Sequence, residues 1–394
     1  MISLVTHRML RRFICIFCVL TAGVSVPASA AMPEVEPAEG PLTPFLGEPS
    51  MAIDELFGDE RFPNITVSKA GTILATWGNK VIRVRRSEDG GKSWGKAIVI
   101  AASGIHGGGT TVDEMSGDVL VFVEDQHPPA PLTVYRSTDD GLTWVAEKPT
   151  VHPDSLGHLP SMHMNEHGIT LMRGEHKGRL LRASRYYGKK NHRSEWPHHY
   201  TNAVYSDDGG RSWHTSEPFP ENGTGEATLA ELSDGSIYYN SRIHWDKRPK
   251  NTRRRAARSK DGGQTWDEWE IVDALPDGHQ QRSYGCMGGL VRLPVAGHDI
   301  LIFSNLDTPR PTRERGTVWA SFDGGRTWPI KRLVFEGSTG YSSLTTGRPG
   351  TARAGSIFLH FESGKGSKVA AFNLSWLLQG ELTGDGTVPE TEKE

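Results

Sequence analysis

A glutamate and an arginine stand on opposite arms of one predicted hairpin. The segment from Gly225 to Arg242 turns at Asp234-Gly235, a dipeptide that favours a tight turn between two strands. Counting outward from the turn places Glu226 opposite Arg242, and cross-strand partners share one face of a sheet within side-chain reach. The carboxylate could act as a base and the guanidinium as an anion-binding group, or the two could form a plain cross-strand salt bridge.

A second group of polar residues follows an apolar strand. The segment Val121–Val123 is continuous with Glu124, Asp125 and His127. A carboxyl or imidazole group at the rim of a pocket can be tuned by burial for acid–base catalysis. The same residues could equally form a solvated loop.

Histidines are concentrated in one part of the chain, with eight between residues 151 and 200. His163 and His167 are four residues apart, but no helix is predicted to align them, so we expect no metal site. Together with the arginines and tyrosines between them, they could grip an acidic sugar, or they could be ordinary surface and core histidines. The residues in question include His158, His198, His199, Arg179, Arg182, Arg185, Tyr186 and Tyr187.

One short motif recurs five times and predicts the elements that carry these residues. Each copy begins with Ser, contains Asp or Gly at the centre and ends with Trp. The copies are Ser87–Trp94, Ser137–Trp144, Ser206–Trp213, Ser259–Trp266 and Ser321–Trp328. The glycines supply the positive φ of a tight turn, and the Asp and Ser/Thr side chains can bond the turn's own amides. Strand patterns flank the copies, and four strands recurring every ~40–60 residues are typical of propeller blades.

The N-terminus has the pattern of an export signal. Three arginines, at positions 8, 11 and 12, precede the apolar run Phe13–Leu20, and Ala28-Ser29-Ala30 is a cleavage pattern. We therefore expect residues 1–30 to be removed and the protein to be periplasmic or secreted; an uncleaved anchor is the alternative. Residues 31–45 are predicted to be a leader, 46–378 a single domain, and 379–394 a disordered acidic tail.

Composition excludes some classes of function. The 394 residues contain 44 Lys+Arg and 47 Asp+Glu, a net charge of −3, and loss of residues 1–30 changes it to −6. This argues against a general binder of nucleic acid or anionic membranes. Cys286 is the cysteine that remains after residue 30, so neither an intrachain disulfide nor a cysteine metal cluster is expected.

The five repeats are Asp-boxes, and on them the chain resembles the sialidase superfamily. The resemblance implies an all-β fold, a six-bladed β-propeller of four-stranded antiparallel blades. A sixth blade without a box would close the ring with strands from both ends of the chain. The tryptophans of the boxes are expected to staple the blades rather than to bind sugar.

The resemblance also implies roles for five residues. Arg61, Arg242 and Arg313 would bind the carboxylate of sialic acid, although Arg310 and Arg315 lie close to Arg313. Tyr341, in a Tyr-Ser segment like the one that holds the sialidase nucleophile, would attack the anomeric carbon, with Glu226 as its base. A neutral tyrosine avoids the repulsion that a carboxylate nucleophile would meet from the substrate's own carboxylate.

One part of the family pattern is missing. Sialidases carry an aspartate, the general acid/base, on a loop after the first arginine, but Ala75–Val81 contains no Asp or Glu. Asp125 and His127 are the candidates to replace it.

Three functions are compatible with these residues. The leading one is an exo-α-sialidase-like hydrolase that releases a terminal acidic sugar with retention, as a monomer and without a cofactor. The second is a propeller lyase or hydrolase of uronate-containing polysaccharide that uses His127, His163 or His167 with nearby arginines and tyrosines. The third is a non-catalytic glycan-binding propeller.

Overall fold

The computed structural model describes residues 35–390 except 107, 164–165, 190–191, 193, 245–251 and 280–284. The predicted signal peptide therefore lies outside the described residues. Within them, no helix is long and apolar enough to span a membrane.

Nearly all regular structure is β. The first thirteen strands are β1 (Met51–Phe57), β2 (Asn64–Val67), β3 (Ile73–Trp77), β4 (Ile82–Ser87), β5 (Ile98–Ala101), β6 (Ile105–His106), β7 (Thr111–Val112), β8 (Val119–Glu124), β9 (Leu132–Ser137), β10 (Val145–Glu147), β11 (Thr150–Val151), β12 (Ile169–Thr170) and β13 (Leu180–Tyr186). They are followed by β14 (Tyr200–Ser206), β15 (Ser212–Thr215), β16 (Thr224–Glu231), β17 (Ile237–Ile243), β18 (Arg253–Ser259), β19 (Asp267–Pro276), β20 (Gly289–Arg292), β21 (Leu301–Leu306), β22 (Glu314–Ser321), β23 (Ile330–Thr346), β24 (Ile357–Ser363), β25 (Gly366–Phe372) and β26 (Glu381–Leu382). The helices are short: two 3₁₀ turns, Thr43–Leu46 and Trp196–His198, and α1 (Leu374–Leu377).

Most sheets are built from strands that follow one another along the chain. In the described part of the chain these are β2-β3-β4-β5, β10-β9-β8-β6 with β7 also on β8, β11-β15-β14-β13-β12, and β16-β17-β18-β19. The named strands pair antiparallel, except that β11 runs parallel to β15. The all-β prediction is thus confirmed.

The largest sheet combines two such units through one long strand. Its order is β1-β25-β24-β23-β22-β21-β20, and β26 also pairs with β23. The first half of β23 pairs with β22, whereas its second half, from Ser342 to Thr346, pairs with β24. Strand β1 pairs with β25, so strands from both ends of the chain share this sheet, as the predicted closure requires. Because one strand serves both halves, the number of six blades stays a prediction.

The sheets stand side by side around a common axis. The strands nearest the axis are β2, β7, β12, β16, β20 and the second half of β23, and each contacts the next; we call them the inner strands. Six apolar clusters complete a closed circle: five join successive sheets, and one packs the two halves of the largest sheet against each other. Residues that share a cluster include Val84 with Val121, Phe122 with Trp213, Leu181 with Leu229, Tyr238 with Phe303, Ile302 with Leu359, and Phe358 with Ile73. A circle of sheets joined this way is a β-propeller.

The repeated motifs form the turns that the sequence predicts. In the third copy, Ser212 donates its backbone N–H to Asp208 Oδ1 at 2.9 Å, and Gly210 donates its N–H to Ser206 Oγ at 2.8 Å. Gly210 has a φ of 85°, which a residue with a side chain adopts only with strain. Trp213 is fully buried and packs on Phe122 of the preceding sheet, with ring centroids 5.4 Å apart. This tryptophan therefore staples two sheets together.

The C-terminal segment departs from the prediction. The sequence predicts a disordered tail from residue 379, but Glu381–Leu382 forms β26. Trp328 also donates its N–H to Asp385 Oδ2 at 2.9 Å. The physical reason is that the backbone of the last Asp-box needs acceptors, and the tail supplies them.

Candidate active site

The candidate site lies at one end of the axis, where inner strands begin. Glu226 lies in β16 and Tyr341 in β23, while Arg61 lies just before β2. Arg242 lies in β17, and Arg313 immediately precedes β22. These five residues, which we call the axial site, are those to which the resemblance assigns a role; the other candidates, Asp125, His127, His163 and His167, are described below.

Tyr341 and Glu226 form the centre of the site. The Tyr341 hydroxyl donates to Glu226 Oε1 at 3.0 Å, and both side chains are buried. Arg242 Nη1 donates to the other carboxylate oxygen of Glu226. Ala227 pairs with Ser241, which places the next residues of the two strands, Glu226 and Arg242, beside each other; the register is irregular between residues 224 and 227. Counting from the hairpin turn therefore locates this contact.

Two further arginines lie against the Tyr341 ring. Arg61 Cζ is 5.1 Å and Arg313 Cζ is 5.0 Å from its centroid. Arg313 also donates to the Gly285 carbonyl at 3.0 Å. Phe62 stacks on Tyr341, with centroids 6.0 Å apart, and holds a φ of 78°, which is strained for a bulky residue. Such strain persists only where the surroundings enforce it, which is typical of functional sites.

Glu362 belongs to this site and was not found from the sequence. Its two oxygens accept from Arg61 Nε at 2.9 Å and Nη2 at 3.1 Å. They also accept the backbone N–H of Tyr341 at 3.1 Å and that of Phe62 at 3.4 Å. The sequence contained one signal for Glu362, an acidic residue near the end of a strand and before the turn at Gly364. Strands at the protein surface often have the same feature, so the signal could not identify a site residue.

Burial and neighbouring charges oppose each other at these residues. Burial alone would raise the pKa of Glu226, but Arg242 and more distant cations bring it well below its usual value. Burial, and then the negative charge of Glu226, raises the pKa of Tyr341 to about 12. The resting site therefore holds a neutral phenol bonded to an ionised carboxylate.

A buried ion pair supports the hairpin from behind. Arg254 and Asp277 are both inaccessible to solvent, with Nη1 and Oδ1 3.4 Å apart. Arg254 Nη2 donates to the Glu226 carbonyl at 3.4 Å, and Asp277 Oδ2 accepts the Ile243 N–H at 2.9 Å. These bonds fix the backbone on both arms that carry Glu226 and Arg242.

The segment that lacks the family's acidic residue is a tight, capped turn. Glu60 Oε2 accepts the backbone N–H groups of Asn79 at 2.8 Å, Lys80 at 2.9 Å and Val81 at 3.4 Å. Glu60 itself adopts a φ of 56°. The turn therefore has its own structural support.

The predicted rim residues separate in the structure. Glu124 turns inward, where Oε1 accepts from Ser161 Oγ and Met162 N, and burial raises its pKa to about 7. Asp125 is exposed, and no contact of its side chain with the axial site is seen among the described residues. His127 lies closer to the axial site, with its ring 4.9 Å from that of His163 and 5.5 Å from that of Tyr187. Burial lowers the pKa of His127.

The other candidate histidines divide between the two ends of the axis. His163 lies at the site, 5.5 Å from the Phe62 ring, and burial lowers its pKa to about 3. His167 lies away from the site. Its Nε2 is 2.9 Å from the Leu344 carbonyl oxygen, and the residue borders a cavity of about 240 Å³ at the opposite ends of the inner strands. In the part of the chain that the structure describes, no cluster of His, Cys, Asp or Glu could hold a metal ion.

Comparison with known proteins gives consistent results. Residues 71–353 match the family described as BNR repeat-like domain. The chain is 31% identical over 410 residues to a sialidase of Micromonospora viridifaciens, and 27% identical over 337 residues to a sialidase of Bacteroides fragilis. These alignments cover 95% and 72% of this chain but only 60% and 57% of the relatives, so the chain spans less than two thirds of their length.

Solved structures show the same fold. The Hadza microbial sialidase Hz136 superposes with a TM-score of 0.63 at 25% identity, over 81% of this chain and 66% of that one. The intramolecular trans-sialidase of Ruminococcus gnavus superposes with a TM-score of 0.60 at 16% identity, over 82% of this chain and 95% of that one. With its five Asp-box turns on a circle of sheets, the chain belongs to the BNR repeat-like domain family of the sialidase superfamily.

Proposed function

We propose that this protein is a sialidase-like glycoside hydrolase that releases a terminal acidic sugar, nominally sialic acid, with retention of configuration. The observation that carries the proposal is the phenol–carboxylate pair of Tyr341 and Glu226 at the centre of three guanidinium groups. The sialidase relatives support the same class of activity.

The arginines of the axial site would bind the substrate's carboxylate. Guanidinium groups bind carboxylates through short, charge-assisted bonds, often two at a time. Glu362 holds the Arg61 guanidinium by both Nε and Nη2, so this arm of the clamp is oriented before substrate arrives. A preoriented clamp loses little side-chain entropy on binding.

Substrate binding would also activate the nucleophile. In the resting site Arg242 pairs with Glu226 and keeps that carboxylate a weak base. A substrate carboxylate that shares Arg242 weakens this pairing and raises the proton affinity of Glu226. Glu226 then accepts the Tyr341 proton as the phenolic oxygen bonds to the anomeric carbon and the bond to the leaving oxygen breaks. Water subsequently displaces the tyrosine and regenerates the free enzyme.

The leaving oxygen needs a proton, and we assign its delivery to His127. Asp125 and His127 are both exposed. The His127 ring, however, packs on those of His163 and Tyr187 and is close enough to Glu226 to feel its charge. No contact of the Asp125 side chain with the axial site is seen among the described residues. A group of this kind typically contributes about 10²–10⁴-fold to the rate. The same residue, deprotonated after the first step, would take the proton from the attacking water.

The test is fluorophore release from a 4-methylumbelliferyl sialoside by the chain from Ala31 onward. We expect turnover by this protein and a loss of about a thousandfold or more in Tyr341→Phe. Tyr205→Phe is the matched control, because its hydroxyl bonds Gln264 at 3.4 Å, away from the site, and we expect full activity. A folded protein without turnover, or an active Tyr341→Phe, would contradict the proposal.

Two further assays on the same protein distinguish the other two candidate functions. A lyase would produce an unsaturated uronate that absorbs in the ultraviolet. A binding propeller would retain a sialylated glycan without forming product. His163 and His127 at the site favour the lyase as the second candidate, because imidazole groups near a sugar can abstract a proton.

A further inference from the structure

A buried arginine stands beside the axial site, and no described carboxylate pairs with it. Arg185, in β13, is 1% exposed. Its Nη2 donates to His199 Nδ1 at 3.0 Å and to His244 Nδ1, and its Nη1 donates to the Tyr187 hydroxyl at 3.3 Å. No residue in the described part of the chain bonds its Nε. We call these four residues the Arg185 cluster.

The acceptors of the Arg185 cluster are neutral. Burial lowers the pKa of His199 to about 3 and lowers that of His244 well below its usual value. Each imidazole accepts a bond from the guanidinium at Nδ1, which also requires that nitrogen to be unprotonated. The positive charge of Arg185 is therefore not balanced inside its own cluster.

This differs from the arginines of the site that are ion-paired. Arg61 is paired with Glu362, and Arg242 with Glu226. Buried charges in proteins are normally paired because desolvation of an isolated charge is costly. Throughout the described ranges, Arg185 forms no ion pair. Its charge acts on Glu226 at longer range and helps to lower the pKa of that carboxyl, but no carboxylate contacts the guanidinium, so the charge favours a further anion nearby.

The Arg185 cluster is adjacent to the reacting groups and to the open rim. A Cβ on Gly225, the residue before Glu226, would lie 3.4 Å from Arg185 Nη1, so the guanidinium rests against that backbone. On the other side, the Tyr187 ring is 5.5 Å from that of His127, and the His244 ring stacks on Trp196 at 4.9 Å. His127, His244 and Trp196 are each partly exposed or exposed, so they form the surface that a bound sugar would meet.

We propose that the Arg185 cluster makes the site selective for glycans that carry a second anionic group in addition to the carboxylate bound by the arginines of the axial site. The inference rests on the proposed function, since it takes the first carboxylate to be the one on the terminal sugar. The second group is a carboxylate, sulfate or phosphate. It belongs either to the side chain of the terminal sugar or to the sugar next to it, and the chemistry of recognition is the same in both cases.

Binding by calorimetry tests the inference, in a Tyr341→Phe protein so that no probe is consumed. One pair of probes is N-acetylneuraminic acid and its 9-phosphate. The other pair is 3′-sialyllactose and the same trisaccharide with a sulfate on the galactose. We expect at least one dianionic probe to bind about tenfold more tightly than its monoanionic partner. The pair that shows the difference identifies the sugar that carries the second charge.

Variants then test whether Arg185 causes the preference for the dianionic probe. Arg185→Gln keeps donors for the imidazoles but removes the charge, and should reduce the preference to less than about twofold. Arg185→Lys keeps the charge and should retain most of the preference for the dianionic probe. Arg179→Gln is the matched control, because this buried arginine pairs with Asp207 at 2.8 Å away from the site, and the preference should be unchanged.

Each outcome bears on a different statement. Equal binding of monoanion and dianion in both pairs overturns the inference, even if Arg185→Gln fails to fold. A preference that survives in Arg185→Gln also overturns it. Failure of N-acetylneuraminic acid and 3′-sialyllactose to bind at all, in a folded protein, overturns the proposed function and with it the present inference.

Discussion

Replacing Glu362 by glutamine should weaken both the fold and the substrate clamp. Oε1 of Glu362 accepts from Arg61 Nε and Phe62 N, and Oε2 accepts from Arg61 Nη2 and Tyr341 N. Glutamine has the same shape but only one acceptor oxygen, and its NH2 group donates. In either orientation, one backbone N–H and one guanidinium N–H then face another donor.

The magnitude follows from these contacts. A buried backbone N–H without an acceptor costs about 1–3 kcal/mol. The lost guanidinium bond contributes at most about 1 kcal/mol, because the Arg61 side chain is 43% exposed and solvent screens the pair. We therefore expect Glu362→Gln to lower the free energy of unfolding by about 1–4 kcal/mol. The released Arg61 should raise KM for the sialoside about tenfold, with a smaller change in kcat.

Urea denaturation and steady-state kinetics measure the two effects. Glu336→Gln is the control, because Glu336 also pairs with an arginine, Arg315, at 2.7 Å but is 70% exposed. Its free energy of unfolding should change by less than about 0.5 kcal/mol. If Glu362→Gln is as stable as this control and has an unchanged KM, then Glu362 does not orient Arg61 and the reasoning is refuted.

Three further changes test other parts of the structure. His127→Asn should reduce kcat/KM more for 3′-sialyllactose than for the 4-methylumbelliferyl sialoside, whose leaving group needs less protonation, and equal losses would exclude His127 as the acid. Burial lowers the pKa of His127, so the activity that depends on its proton should fall as the pH rises, with a midpoint in kcat/KM below pH 6.5. The His127→Asn variant should not show this fall in kcat/KM. Burial raises the pKa of Glu124 from 4.5 to about 7, so the folded protein holds a proton that the unfolded chain has released, and stability is lost as the pH rises between these values. Thermal melts of Glu124→Gln should lack this loss; a variant with the same pH dependence as the wild type would contradict it. Asp261→Ala removes the acceptor for two backbone N–H groups of its Asp-box and should cost about 1–2 kcal/mol in urea denaturation, whereas an unchanged midpoint would show that the turn is held by other contacts.

The fold was largely predictable because its signal is local and repeated. Each Asp-box contains the glycines and acceptors of its own turn, and five copies fixed the approximate spacing of the strands. The double role of β23 was less visible, since the second half of this strand belongs to the part of the sheet without a box. The order of the tail depends on a backbone donor at Trp328, 57 residues before its acceptor Asp385, and no local pattern reports such a contact.

Parts of the site were predictable for the same reason. Glu226 and Arg242 belong to one hairpin, where counting from the turn gives the register. Arg61, Arg313 and Tyr341 were located by resemblance, because they come together only when the circle of sheets closes. Glu362 lies 301 residues from the arginine that it holds, so only the folded chain reveals it.

The turn that stands where the family carries an acidic loop bears on the proposed general acid. Glu60 satisfies three backbone N–H groups of the turn, and it shares Arg83 with Asp59. Both acids nearest this turn are therefore engaged in structural bonds, and freeing either one would leave a guanidinium or amide donor without its partner. His127 is not part of this turn: its ring packs on those of His163 and Tyr187, its Nδ1 lies 3.3 Å from the Pro128 carbonyl oxygen, and the residue is exposed to solvent. The short turn is therefore consistent with the proposal that His127, and not an acid of this turn, protonates the leaving group.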